Sequence, residues 1–162
     1  MYNKKNIIFC VLLCLLTIII DQASKWVVLS NLNINSSIKV FTGFNLVLTF
    51  NYGTSFGLLS PNTAYGTYCL IALSLLLIII LLCAFFKLKN NIERILLSVL
   101  IGGAIANLLD RIIHGAVIDF IDIYYKDWHW PVFNIADMAI TCSAICLILY
   151  NLFKSNNTKY CR

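Results

Sequence analysis

The chain has 162 residues, 60% of them hydrophobic and only 12% charged, where a soluble domain carries about a quarter charged residues. Its length allows one domain, and its long apolar runs with a mean hydropathy of +0.86 describe a chain whose solvent is mostly lipid. Disorder, a coiled coil and nucleic-acid binding are excluded by the same composition.

Four stretches approach the roughly 20 apolar residues needed to cross a hydrocarbon core of about 30 Å: residues 6–29, 65–86, 92–109 and 135–153. The first follows Lys4 and Lys5 and so resembles a signal peptide. It lacks a small-x-small cleavage site and three further spans follow it, so it reads as a retained anchor. Between the first two spans, residues 44–50 carry an apolar residue at every second position, with Asn45, Val47 and Thr49 between them, which is strand periodicity. Asn51, Gly53, Gly57 and Pro61 then interrupt it as turn residues. A second, β-branched run at residues 117–123 lies between the third and fourth spans. The segments near 39–60 and 115–125 are expected to form a small extracytoplasmic β-structured cradle on the membrane surface, since an open sheet edge cannot sit bare in hydrocarbon. The expected fold is an all-α integral membrane protein of four transmembrane helices with this cradle, in one domain over 1–162.

Orientation follows from the basic residues, which concentrate in cytoplasmic connections. Lys4, Lys5, Lys87, Lys89, Arg94, Lys154, Lys159 and Arg162 fall on one side, against Lys25, Lys39, Arg111 and Lys126 on the other. Both termini are therefore expected in the cytoplasm. The acids divide the opposite way: Glu93 alone is inside, whereas Asp21, Asp110, Asp119, Asp122, Asp127 and Asp137 lie at the outer ends of spans or in outer connections. The net charge of +5 thus reports topology, and Lys87, Lys89 and Arg94 are too dispersed for an acidic-lipid site.

Seven cysteines raise the question of a disulfide scaffold or metal cluster. Cys10 and Cys14, and Cys142 and Cys146, are spaced i, i+4 within apolar runs, Cys69 and Cys83 lie in another, and no C-x-x-C occurs. They read as small hydrophobes on helix faces. His114 and His129 are isolated and lack ligand spacing, so no metal and no cofactor is expected.

Ionisable groups at the edge of a span cost about 2.5–3.5 kcal/mol on insertion scales and are functional candidates by default. In DQASK, Asp21 and Lys25 share a helix face and can pair. The favoured reading is a helix-end salt bridge with Lys25 snorkelling to the headgroups; in the functional alternative Lys25 holds an anionic or carbonyl group of a substrate. In GGAIANLLDR, Asn107, Asp110 and Arg111 share a face, and Gly102 with Ala106 lets another helix approach. Arg111 could stabilise the helix end with Asp110 as its partner and Asn107 as interhelical glue, or all three could order a site. The third candidate is Asp119 in the outer strand with Asp137 at the head of the fourth span. Taken alone, Asp137 completes a capping box with Asn134. Together the two acids permit sharper chemistry. Two carboxylates held close cannot both ionise easily, so one keeps its proton while the other acts as a base. The base would activate water against a peptide carbonyl and the acid would bind the oxyanion. The chain offers no G-x-S-x-G, H-E-x-x-H or phosphate loop in competition.

In order, DQASK (Asp21 to Lys25), NYGTSFG (Asn51 to Gly57), GGAIANLLDR (Gly102 to Arg111), VIDF (Val117 to Phe120) and FNIAD (Phe133 to Asp137) resemble the five signature blocks of lipoprotein signal peptidase, the signal peptidase II family of aspartic peptidases. The resemblance implies a catalytic dyad of Asp119 and Asp137, with Asn107, Asp110, Arg111 and Asn134 ordering the site or contacting substrate. Asp21, Lys25, Asn51 and Gly53 take supporting roles. It further implies cleavage of bacterial prolipoproteins immediately before a diacylglyceryl-modified cysteine, near the outer face of the cytoplasmic membrane, by a monomer in contact with lipid. Tyr52 or Phe56 could clamp the peptide from above. Ala106 stands where the family usually has glycine, and Thr54 and Ser55 where small alanine-like residues are common. The rival reading is a small transporter or proton-relay protein using Asp21, Asp110 and Asp137, which suffers from having no acid in mid-span.

Overall fold

The computed structural model describes residues 4–53 and 64–160, with side chains up to residue 154. Four helices are long and apolar enough to cross a membrane: α1 (Lys4–Asn31), α2 (Ala64–Lys87), α3 (Asn91–His114) and α4 (Ile135–Tyr160). Between α1 and α2 lie strands β1 (Ser37–Phe41) and β2 (Phe44–Asn51), and between α3 and α4 lie β3 (Val117–Tyr125) and β4 (Trp128–His129). The chain is a multi-pass membrane protein with a small antiparallel sheet.

Helix α3 is the centre of the bundle and packs against α1, α2 and α4. The paired glycines make this possible. A Cβ at Gly102 would come within 2.7 Å of the Cys14 carbonyl oxygen, and one at Gly103 within 2.7 Å of the Ala136 carbonyl oxygen. Two neighbouring helices thus lie against the α3 backbone on adjacent faces, the close approach that small residues permit in lipid. Ala106 is fully buried, so the departure from glycine is accommodated. The outward faces carry exposed apolar side chains such as Ile19, Leu73 and Ile148, as lipid requires.

The expected end of the third span at residue 109 falls short of the helix by five residues, because α3 continues through Asp110 and Arg111 to His114. The charges do not break the helix since they are satisfied by protein groups, described below. The Asn90 side chain caps the start by accepting from the Ile92 and Glu93 amides, and Gly115 at φ 73° closes the end with its N–H on the Arg111 carbonyl. Near this start, Lys154 of α4 pairs with Glu93 at 2.7 Å.

The four strands run in the order β1-β2-β3-β4. The described part of the expected 39–60 segment is a hairpin that begins at Ser37, turns through Gly43 at φ 98° and ends at Asn51; Thr54, Ser55, Phe56, Gly57 and Pro61 lie outside the described residues. The period-2 pattern has a visible consequence. Leu46, Leu48 and Phe50 pack with Ile118 and Phe120 of β3 and Val28 of α1, while the intervening Asn45 and Asn51 reach Asp122 and Asp119. A register shift between Leu46 and Thr49 separates these two contacts.

Candidate active site

The site is built where the sheet meets the ends of α1, α3 and α4. Its foundation is Lys25, which is 1% exposed. Its ammonium lies 2.7 Å from Asp21 and 2.6 Å from Asp110, and it donates to Asn107 Oδ1 at 3.0 Å. Snorkelling is thus overturned: with two carboxylates and an amide oxygen available inside, the three ammonium protons are all used without reaching water. Asp110 binds Lys25 rather than serving as the ion-pair partner of Arg111.

The two acids of this triad also hold backbone. Asp21 Oδ1 accepts from the Ala136 amide at 2.7 Å, tying α1 to the first turn of α4. Asp110 accepts from the Ile118 amide at 3.2 Å, tying α3 to β3, and from Gln22 Nε2 at 2.8 Å. The strands and helices that carry the remaining polar residues are therefore indexed to one buried charge cluster. Because Asp21 and Asp110 are both consumed by Lys25, the relay of Asp21, Asp110 and Asp137 expected of a transporter is not supported.

Above the cluster, Asn134 joins the two acids of the expected dyad. Its Nδ2 donates to Asp119 Oδ1 at 2.7 Å, and its Oδ1 accepts from the Asp137 amide at 2.9 Å. The Asp137 carboxylate returns to the Asn134 amide at 3.3 Å, which is the capping box expected from the spacing. Asn107 Nδ2 holds Asp137 Oδ1 at 2.8 Å, and Asn134 Nδ2 also approaches Asn107 Oδ1 at 3.2 Å. Arg111 donates to the Asn107 carbonyl at 3.2 Å and lies within Coulombic reach of Asp137, Asp110 and Asp119.

The other side of Asp119 is held from β2. Asn51 Nδ2 donates to Asp119 Oδ2 at 2.9 Å, and the Gly53 amide donates to Asn51 Oδ1 at 2.9 Å. This Asx turn fixes which way the Asn51 amide faces. Gly53 has φ 80°, a backbone conformation that favours glycine, and a Cβ there would have to displace the end of the Leu70 side chain, 2.6 Å away. Tyr52 between them is exposed.

Asp119 is almost wholly buried and Asp137 half-buried. Burial pushes the Asp119 carboxyl from 3.8 up to about 6, with the Asp137 charge adding to the rise and the amide hydrogen bonds of Asn51 and Asn134 opposing it. An apolar cleft of about 940 Å³, lined by Trp130, Val132, Phe133, Met138, Thr141 and Cys142, reaches Asp137. A carboxylate at the edge of such a cleft, with a second, buried carboxyl held through a shared asparagine, can act as base and acid on a bond presented by an apolar substrate.

Asp21, Lys25, Asn51, Gly53, Asn107, Asp110, Arg111, Asp119, Asn134 and Asp137 are brought into one network, whereas Tyr52 is exposed outside it and Phe56 lies outside the described residues. Sequence reasoning missed Gln22, Asn45 and the pairing of Asp122 with His129 at 2.7 Å; the motif neighbourhood DQASK contained a signal for Gln22, and the strand alternation one for Asn45. Among the described residues there are six free cysteines and no group of side chains suited to a metal.

Lys25→Met leaves two buried carboxylates without a counter-charge and is expected to cost about 3–5 kcal/mol, measured as a lowered unfolding midpoint in detergent. The triple change Asp21→Asn, Lys25→Met, Asp110→Asn should recover most of that loss, and wild-type stability of the single variant would contradict the account. A second expectation concerns pH. Between 3.8 and about 6 the folded protein retains a proton at Asp119 that the unfolded chain has released, so the contribution of this group to stability declines as pH rises through that window. Asp119→Asn should therefore gain thermal stability relative to wild type between about pH 4 and about pH 7; parallel profiles would refute the shift.

The family model described as signal peptidase (SPase) II matches residues 13–153. The lipoprotein signal peptidase of Polynucleobacter necessarius subsp. necessarius is 39% identical over 144 residues, 88% of each chain. That of Anaplasma phagocytophilum is 42% identical over 135 residues, 83% of this chain and 86% of its own. A solved bacterial membrane enzyme obtained by the in meso method superposes with a TM-score of 0.80 at 28% identity, covering 93% of this chain and 91% of that one. With four membrane-spanning helices, a buried polar network and matches over nearly its whole length, the chain belongs to the signal peptidase II family.

Proposed function

We propose that the chain removes signal peptides from bacterial prolipoproteins as an aspartic endopeptidase, cleaving immediately before the diacylglyceryl-modified cysteine, with Asp119 and Asp137 as its catalytic pair. The observation that carries this reading is the single Asn134 side chain hydrogen-bonded to the Asp119 carboxylate and to the Asp137 backbone amide, beside a mostly apolar cleft that reaches Asp137. Asp119, the carboxyl that burial favours in its protonated form, donates to the carbonyl oxygen. Asp137 takes a proton from water as that water attacks the carbonyl carbon, then passes it to the leaving cysteine nitrogen as the C–N bond breaks. Asn51, Gly53, Asn107, Asp110, Arg111, Asn134, Asp21 and Lys25 hold the geometry; the residues nearest the dyad are the ones open to substrate contact. The substrate's acyl chains or signal helix would reach the cleft sideways from lipid.

The location follows from chemistry of two kinds. Basic residues gather at the ends of the helices away from the sheet, which favours cytoplasmic termini. The exposed rings of Trp26, Tyr125, Trp128 and Trp130 suit the opposite interface, where aromatic residues are enriched. The reading is therefore a cytoplasmic-membrane enzyme with its site near the extracytoplasmic face.

Detergent-purified protein incubated with a diacylglyceryl-modified prolipoprotein should cleave before the modified cysteine. Asp119→Asn and Asp137→Asn should each lower the rate by about 10²–10⁴-fold with folding retained. Cleavage surviving in both would remove the dyad, and equal cleavage of unmodified precursor would remove the substrate assignment. Reporter fusions after Lys89 and after Lys126 should report cytoplasmic and extracytoplasmic sides respectively, and an external Lys89 would overturn the orientation.

A further inference from the structure

Asp119 and Asp137 stand at the two ends of one excursion of the chain. From Asp119 the backbone runs out along β3, turns through Lys126 at φ 55°, returns through β4, and reaches Asn134 and the head of α4. The register between the outgoing and returning arms therefore sets where Asn134 and Asp137 stand relative to Asp119.

Backbone pairing fixes that register at both ends, and between them the Trp130 amide donates to the Ile123 carbonyl at 2.8 Å. At the far end Tyr124 pairs with His129 and Tyr125 with Trp128. At the near end Phe133 exchanges hydrogen bonds with Ile121 at 2.8 and 3.1 Å and also accepts from the Phe120 amide. Between Tyr124 and Ile121 the outgoing arm takes three steps, whereas the return from His129 to Phe133 takes four. The returning arm thus carries an extra residue, and within it Pro131 has no N–H to give.

A side-chain link spans this interval. His129 Nδ1 lies 2.7 Å from Asp122 Oδ1, and the Asp122 side chain is only 6% exposed. Asp122 Oδ2 accepts from Asn45 Nδ2 at 2.8 Å, so β2, β3 and the returning arm meet at one carboxylate. The His129 ring stacks on Tyr124 at 5.0 Å with planes 17° apart. Lys126, at the turn, lies over the Tyr125 ring. Sliding the returning arm by one residue would carry Asn134 about 3.3 Å along the strand, abolish its bond to Asp119 and leave Asp122 without its imidazole partner.

We infer that Asp122 and His129 are positioning residues for the peptidase reaction, their hydrogen bond fixing the register of the arm that carries Asn134 and Asp137 and thereby the spacing of the two catalytic carboxylates. The inference rests on the proteolytic reading above for the reaction it serves. It adds two residues that touch neither the dyad nor the cleft.

The test uses the full chain in detergent with two readouts. In cleavage of diacylglyceryl-modified prolipoprotein, His129→Ala and Asp122→Ala should each lower kcat by about 10- to 100-fold, the scale of a small misplacement of catalytic groups, with KM within about twofold of wild type. The double variant should lose no more than either single one, since both remove the same link. His129→Asn, which can offer an amide donor in place of Nδ1, should restore most of kcat. Independently, the infrared carboxyl band assigned to Asp119 by comparison with Asp119→Asn should titrate at lower pH in both alanine variants, because loss of burial, the largest cause of its rise, outweighs loss of the Asn134 bond that opposes it. Wild-type kcat in folded His129→Ala, a rise in KM alone, or an unmoved Asp119 titration would overturn the inference. Failure of the wild-type protein to cleave would instead count against the proteolytic reading, and the infrared measurement would still decide the positioning role.

Discussion

A single ammonium group buried between two carboxylates organises this protein. Lys25 with Asp21 and Asp110 is expensive to desolvate, and its cost is offset only when geometry and hydrogen bonding are complete. The triad meets that demand by recruiting backbone: Ala136 on α4 and Ile118 on β3 donate into it. The same groups that make the cluster tolerable therefore dock α4 and the sheet onto α1 and α3. In lipid, where apolar side chains gain nothing by leaving the solvent for each other, such polar cross-links and the backbone contacts at Gly102 and Gly103 supply the specificity that a hydrophobic core gives a soluble protein.

From this base the order propagates by shared amides. Asn107 accepts a hydrogen bond from Lys25 and donates one to Asp137; Asn134 binds Asp119 and caps α4 through Asp137. Asparagine suits such joints because it accepts and donates from one short, rigid side chain. The acids are thus oriented before any substrate arrives, which is the condition under which electrostatic groups contribute most to a reaction.

The hydropathy pattern located all four helices because their length and lipid exposure leave a one-dimensional trace. The Asn134 and Asp137 cap was legible for a similar reason: its partners are three residues apart. Leu46, Leu48 and Phe50 revealed a strand through alternation, yet the preceding β1, exposed along its length, has no buried face to mark it. The inward turn of Lys25 could not be read, since pairing with Asp21 along one helix looks the same whether the pair faces headgroups or protein. Asp110, 85 residues later, decides it. His129 looked isolated because its partner is across a hairpin with an uneven return, and spacing alone does not disclose a bulge.

The balance of charge in the central network bears on which molecules it will admit. Four carboxylates, Asp21, Asp110, Asp119 and Asp137, face two fixed cations, Lys25 and Arg111. Screening is weak in such surroundings, so the enclosure carries a negative potential even when one of the carboxylates holds a proton. That potential sorts ligands by sign. A molecule that brings an ammonium or a neutral hydroxyl among these side chains meets an attractive or indifferent field, whereas one that brings a carboxylate or phosphonate must enter against repulsion.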